Sequence, residues 1–134
     1  MKREAELKAN LVEMLRDHIR FAVVLRHEDI RTAGIPDISI TFHGVTTWWE
    51  CKHATPKFAS SGIQELTMMR LCANGYARYI IWYEKKGIPP HTLIVHPTML
   101  AAYETKHEHS FDGLKSMQLI DHIRKVHKNG KRRL

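Results

Sequence analysis

The chain has 134 residues, enough for one domain that buries about two-thirds of the surface its unfolded form exposes, so one core and no second domain are expected over 1–134. Lys and Arg number 21 against 14 Asp and Glu, a formal charge of +7 with ten further histidines, which is the footprint of a protein that meets a polyanion. Two cysteines, Cys51 and Cys72, exclude a disulfide framework and lack the paired spacing of a zinc site, no apolar run reaches the ~20 residues of a membrane span, and Met1-Lys2-Arg3-Glu4 leads into a charged helix rather than a signal sequence, so a soluble, intracellular protein is expected.

From Arg3 to about His18, Leu7, Leu11, Met14 and Leu15 recur at helical spacing against Lys8, Glu13 and Arg16, which predicts an amphipathic helix. Phe21 to Leu25 reads as a short buried strand, and Arg26 to Gly34 as a loop. Ile35 to Phe42 alternates, with Ile38, Ile40 and Phe42 on the core face and Asp37, Ser39 and Thr41 on the other. His43-Gly44 predicts a turn into a return strand, Val45 to Lys52, carrying Trp48, Glu50 and Lys52 on one side and Trp49 and Cys51 on the opposite one.

Ala54 to Gly62 is a loop in which Ser60 or Ser61 caps a helix running to about Asn74, ended by Gly75. Ala77 to Glu84 and Thr92 to Val95 predict two strands joined by a loop holding Lys85-Lys86-Gly87 and Pro89-Pro90. Pro97 suits the first position of a helix to about Tyr103, and Leu114, Met117, Ile120, Ile123 and Val126 mark a last helix with a basic tail over about 128–134.

The chemistry concentrates in Pro36-Asp37 and Glu50-Cys51-Lys52. Asp37 opens one strand of the predicted hairpin and Glu50 closes the other, so the two carboxylates fall at one end of the sheet and supply the oxygen ligands a hard cation takes, with water completing its shell. Lys52, two residues beyond Glu50, points to the same face, where it can orient or deprotonate an attacking water or neutralise charge developing on a phosphate. That combination reads as a metal-dependent nuclease. The histidines offer no comparable set: His91, His96, His107 and His109 have neither a carboxylate nor a cysteine at a spacing that completes a zinc site. Trp48, on the Glu50 face, is a sheet tryptophan that can also stack on a base.

Gly34-Ile35-Pro36-Asp37 and Glu50-Cys51-Lys52, in an αβββαβ order, resemble the PD-(D/E)xK nuclease superfamily, and within it the stand-alone VRR-NUC type. The likeness extends over roughly residues 4 to 84: Glu4 with Leu7, Leu11 and Leu15 on the first helix, the Ala33 to Asp37 segment, then Pro56, Ser60 and Gln64, and Gly75 at the end of the second helix. Lys8 stands where the family usually has Gln. The fold implied is α/β and restriction-endonuclease-like, a central mixed sheet flanked by helices.

Carried over residue by residue, the resemblance implies Asp37, Glu50 and the backbone carbonyl of Cys51 as ligands of Mg²⁺, with Mn²⁺ substituting, and Lys52 serving the water nucleophile. Glu4 would bind a second ion or a metal-bound water from the first helix, and Gln64 would position the phosphate or Lys52. Arg20, Arg26, Arg31, Lys57, Lys131, Arg132 and Arg133 are the residues expected to follow a DNA backbone. Stand-alone VRR-NUC proteins resemble Holliday-junction resolvases in being homodimers that cut four-way DNA symmetrically, and the expectation is a dimeric, structure-selective endonuclease of recombination and repair. Its dimer surface would be the edge strand near Thr92 to Val95 or the C-terminal helix. The alternatives are a restriction-like or homing endonuclease, and a nucleic-acid-binding module that keeps the fold without cleaving.

Overall fold

A computed structural model describes residues 2–28, 34–55 and 62–132, without the side chains of 2, 131 and 132. The first helix, α1 (Lys2–His18), follows the predicted stripe: Leu7, Leu11 and Leu15 are buried. Among the described residues six strands form one sheet in chain order, β1 (Val23–Arg26), β2 (Ile38–Phe42), β3 (Val45–Ala54), β4 (Tyr76–Lys85), β5 (Ile88–Val95) and β6 (His109–Asp112). All neighbours run antiparallel except β3 and β4. That parallel pair needs a crossover, which α2 (Gly62–Ala73) supplies. The sheet is mixed and flanked by helices on both faces, as expected. Among the described residues no helix is long and apolar enough to cross a membrane.

Alternation along the strands sorts the core into two layers. Trp49 and Cys51 of β3 and Ile80 and Trp82 of β4 face α1 and the last helix, α3 (Met117–Arg132), packing with Leu7, Leu11, Leu15 and Ile120. Ala54, Tyr79, Ile81, Leu93 and Val95 face α2 and the short 3₁₀ helix Pro97–Ala102, meeting Met68 and Leu100. The buried His127 pins α3 to the hairpin: its Nε2 lies 3.1 Å from both Thr47 Oγ1 and the Ile40 carbonyl, while Trp49 Nε1 donates to that hydroxyl at 2.8 Å. In the β2–β3 turn His43 and Gly44 take φ of 54° and 74°, the left-handed pair that a two-residue hairpin requires.

Several expectations are corrected. Phe21 lies outside β1 in a left-handed conformation, 94% exposed, and β1 is not buried, because it is the sheet's end strand and only Val24 turns inward against α1. Pro89 and Pro90 are not loop residues. They follow Ile88 at the start of β5, where the register with β4 is irregular between Tyr83 and Lys85 and pairing with β6 begins only at His91, so neither proline has a strand partner that its missing N–H would serve. Strand β6, short and polar with no alternating apolar signal, was not anticipated. It covers the outer side of Thr92 to Val95, which is therefore interior and cannot serve as an edge for dimerisation. The helix after Pro97 is 3₁₀, whereas α2 ends at Ala73, just before Gly75, as expected. The proposed serine caps at 60 and 61 lie outside the described residues.

Candidate active site

The site exists because β2 is shorter than β3. Their ladder ends at the Ile38–Trp49 pair, so beyond it the N–H groups of Cys51 and His53 leave β3 with no strand to bond. Two carboxylates take them up: Asp37 Oδ2 accepts from the Cys51 N–H at 2.9 Å, and Glu4 Oε1, reaching from the first turn of α1, accepts from the His53 N–H at 2.9 Å. Asp37 is held in place from its main chain as well, since its carbonyl accepts from the His27 N–H at 2.7 Å and its N–H donates to Glu50 Oε1 at 3.1 Å. Glu50 Oε2 lies 3.2 Å from Lys52 Nζ.

Asp37, Glu50, Lys52, Glu4 and the main chain of Cys51 are thus brought to one notch at the carboxyl end of β3. In an extended strand a residue's N–H and C=O leave on the same edge, so the Cys51 carbonyl is on Asp37's side. Among the described residues no three His, Cys, Asp or Glu side chains form a closed cage. Two carboxylates and a carbonyl are instead the partial, all-oxygen set that suits a hard ion keeping several of its waters, as Mg²⁺ does.

Electrostatics agree with a cation there. Glu50 is 2% exposed, and burial, then the charge of Asp37, push its carboxyl up to about 7 although Lys52 pulls the other way. A buried carboxylate pair of like sign is costly to ionise unless a cation joins it. The Cys51 thiol, fully buried on the opposite face, is pushed up by burial, Asp37 and Glu50 and is a packing group.

Other predicted residues are placed less directly. Gln64 is half-buried in the first turn of α2, on the sheet face that carries Glu50 and Lys52. Arg26, paired opposite Ile38, is near the notch and holds Glu28 at 3.1 Å. Arg20 follows α1's far end, and α3's end, with Gly130 against Val45, is near the hairpin, five residues or roughly 17 Å along β3 from Glu50; Lys131 and Arg132 follow there. Arg31, Lys57 and Arg133 lie outside the described residues. Trp48 is half-buried and stacks on His27, ring centroids 5.3 Å apart. The histidines 91, 96, 107 and 109 do not converge: His96 caps the 3₁₀ helix, His107 bonds the Tyr103 carbonyl, and His109 stacks on Phe111.

Three features were missed. Lys8 Nζ is 3.0 Å from Asp37 Oδ1 and 3.7 Å from Glu4 Oε2; burial works to lower its pKa, but Asp37 and then Glu4 raise it on balance. Its i,i+4 relation to Glu4 was the available signal. Tyr79, opposite Glu50 in the β3–β4 register, has a buried hydroxyl with no hydrogen-bond partner among the described residues, and its pKa is raised by burial, then by Glu50 and Glu65, which puts the first turn of α2 beside the notch. Lys85 and Lys86, exposed at the end of β4, share this end of the sheet because β4 runs parallel to β3. A cavity of about 420 Å³ lined by Gly44, Tyr76, Val126 and Gly130 is at the hairpin end, and among the described residues no acidic, basic or histidine side chain lines it.

The chain matches no family model and no curated protein sequence. Among solved structures it is similar to Hjc, a Holliday junction resolvase from the archaeal hyperthermophile Archaeoglobus fulgidus, with a TM-score of 0.54 at 11% identity, covering 94% of this chain and 96% of that one. At that identity the likeness is one of fold: this chain shares the resolvase's α/β architecture, a mixed six-stranded sheet flanked by helices, over nearly its whole length.

Proposed function

We propose that this chain is a metal-dependent, structure-selective DNA endonuclease of the VRR-NUC type, a homodimer that resolves four-way junctions. The observation that carries the reading is the single notch in which Asp37, Glu50 and Lys52 meet, with the Asp37 N–H bonded to the Glu50 carboxylate. Carboxylates turned toward a phosphate repel it, so a protein that only bound DNA would have no use for two of them. Likeness of fold to a Holliday junction resolvase supports the same class.

Asp37, Glu50 and the Cys51 carbonyl would hold Mg²⁺, or Mn²⁺ in its place, which when bound supplies Lewis-acid stabilisation of phosphoryl oxygens and a more acidic water. Lys52, held 3.2 Å from Glu50, orients that water and neutralises charge on the phosphate; its ammonium is half-buried, so the interaction is screened little. Gln64 positions the scissile phosphate from α2. Glu4 fixes the edge of β3 through the His53 N–H. Arg26, Lys85 and Lys86 contact the DNA backbone nearest the notch, with Arg20 available to a longer arm; Lys131, Arg132 and, outside the described residues, Arg31, Lys57 and Arg133 are further candidates by charge.

Two symmetric cuts require two copies. With Thr92 to Val95 interior and Ile120 and Ile123 of α3 buried against the sheet, the largest group of exposed apolar side chains among the described residues is on the face of the sheet that carries α2: Ile63, Leu66 and Met69 of α2, and Val23 and Leu25 of β1, with Phe21, Ile88 and Met117 exposed elsewhere. We place the dimer contact on that α2 face. Light scattering of wild type and Leu66→Glu tests it: a dimer that becomes a monomer is expected, and a wild-type monomer overturns it.

The function itself is tested with labelled four-way junctions and matched linear duplex, in Mg²⁺ and in EDTA, with Asp37→Asn and Lys52→Ala in parallel. Symmetric junction nicks that vanish in EDTA and in both variants are expected. Cleavage in EDTA would refute metal dependence, cutting of fixed duplex sequences would move the chain to the restriction-like class, and tight binding with no cut under any condition would leave a binding module.

A further inference from the structure

Each carboxylate of the Glu4–Asp37 pair has one oxygen already committed to a strand amide: Glu4 Oε1 to the His53 N–H and Asp37 Oδ2 to the Cys51 N–H. The remaining oxygens, Glu4 Oε2 and Asp37 Oδ1, are the two that face Lys8, whose Nζ is 3.7 Å from the first and 3.0 Å from the second. A second divalent ion bridging α1 and the sheet would need those same two oxygens. Lys8 is also built in rather than draped over the site. It is half-buried, and it projects from the stripe of α1 one turn after Glu4, where i and i+4 side chains meet.

We propose that the Lys8 ammonium is a resident cation occupying the place of a second metal ion between Glu4 and Asp37, so that the site takes one divalent ion per chain. The inference rests on the nuclease reading above. Charge balance points the same way. Glu4, Asp37 and Glu50 against Lys8 and Lys52 leave one net negative charge; one divalent ion reverses it, and a second would have to enter a site already positive. Without Lys8 the deficit doubles and two facing carboxylate oxygens are freed, the arrangement that recruits a hard cation. Lys8 is then a positioning residue: it holds Asp37 in the geometry that the metal requires and keeps α1 clamped to β3 before metal arrives.

The test counts ions rather than products. Mn²⁺ bound to the full-length protein is titrated by electron paramagnetic resonance and by calorimetry for wild type, Lys8→Gln and the double variant Glu4→Gln with Lys8→Gln. One ion per chain is expected for wild type, two for Lys8→Gln, and one again for the double variant, since Glu4 is needed to hold the second. Should Lys8→Gln melt early, Lys8→Met, which keeps the stem's packing, is read the same way. Two ions in wild type, or one in a folded Lys8→Gln, overturn the proposal and leave the nuclease reading standing. A wild-type chain that binds none overturns the nuclease reading together with this proposal.

Discussion

The main-chain N–H of Asp37 donates to the Glu50 carboxylate at 3.1 Å, so the two acidic groups are positioned by one bond between them rather than independently. The consequence is that side-chain changes at either position separate geometry from charge. Asp37→Asn keeps the N–H and the link to Glu50 while removing the anionic ligand, and Lys52→Ala leaves both carboxylates in place.

Cleavage should therefore fall in distinct ways. Lys52→Ala is expected to lower the single-turnover rate by about 10² to 10⁴, the range for removing a positioned proton-transfer group, with Mn²⁺ binding retained. Asp37→Asn is expected to lose Mn²⁺ binding and cleavage together. Quench-flow rates beside metal titrations decide it, and a Lys52→Ala protein that cleaves normally would remove that residue from the chemistry.

The stability of the metal-free chain should depend on pH through Glu50. Its carboxyl titrates near 7 in the fold instead of at its ordinary 4.5, chiefly through burial and then Asp37. The folded chain thus keeps a proton that the unfolded chain has lost, so the contribution is full below about 4.5, declines above it, and is gone as pH passes about 7. Melts in EDTA from about pH 5 to pH 8 should show wild type losing stability relative to Glu50→Gln, by a few kcal/mol at most. Mg²⁺ should stabilise more at the upper end, where no proton has to leave. A wild-type minus Glu50→Gln difference that stays flat would contradict this.

Gly34 brings the segment before Asp37 against α2. Its φ is +80°, and an added Cβ would stand 2.8 Å from Thr67 Oγ1 and 2.9 Å from the Ile63 carbonyl. Gly34→Ala combines left-handed strain with overlap against helix backbone, for an expected loss of about 1–3 kcal/mol in urea melts. Because Asp37 follows three residues on, cleavage should fall further than stability alone explains. An unchanged melt would mean the loop repacks freely.

The notch was legible in the sequence because two short-range rules sufficed: strand alternation put Glu50 and Lys52 on one face, and hairpin closure brought Asp37 to them. Leu7, Leu11 and Leu15 gave α1 by the same periodic logic, and with it Glu4. What was not legible depended on long-range pairing. Strand β6 forms because β5 offers it an unpaired edge, which His109-Ser110-Phe111-Asp112 does not announce. The ends of β3 and β4 coincide only through their parallel register, so nothing local marks Lys85 and Lys86, expected in a loop, as neighbours of Asp37 and Glu50.

That register also carries the β4–β5 turn to the notch end of the sheet. Lys85 and Lys86 follow Glu84, whose carboxylate lies 3.1 Å from His53 Nε2 and 3.4 Å from Arg3 Nε, so the β4–β5 turn is tied to the strand end that holds the notch. Beside it, Thr55, Glu84, Lys85, Lys86, Ile88 and Pro90 line an open groove of about 580 Å³. Neither lysine is in an ion pair among the described residues, which leaves both ammoniums available to phosphate. If each neutralises one phosphate, the double variant Lys85→Ala with Lys86→Ala should reduce the slope of log affinity against log salt by about 2, since each contact on duplex DNA contributes about 0.9. Melting temperature should hardly change, because exposed lysines contribute little to stability. Fluorescence anisotropy of a labelled junction across a salt series measures the slope, in Ca²⁺ to hold cleavage back. A slope equal to wild type would place the DNA on another side of the notch, along Arg26 and the β1 edge, and the same series on Arg26→Ala would then carry the loss.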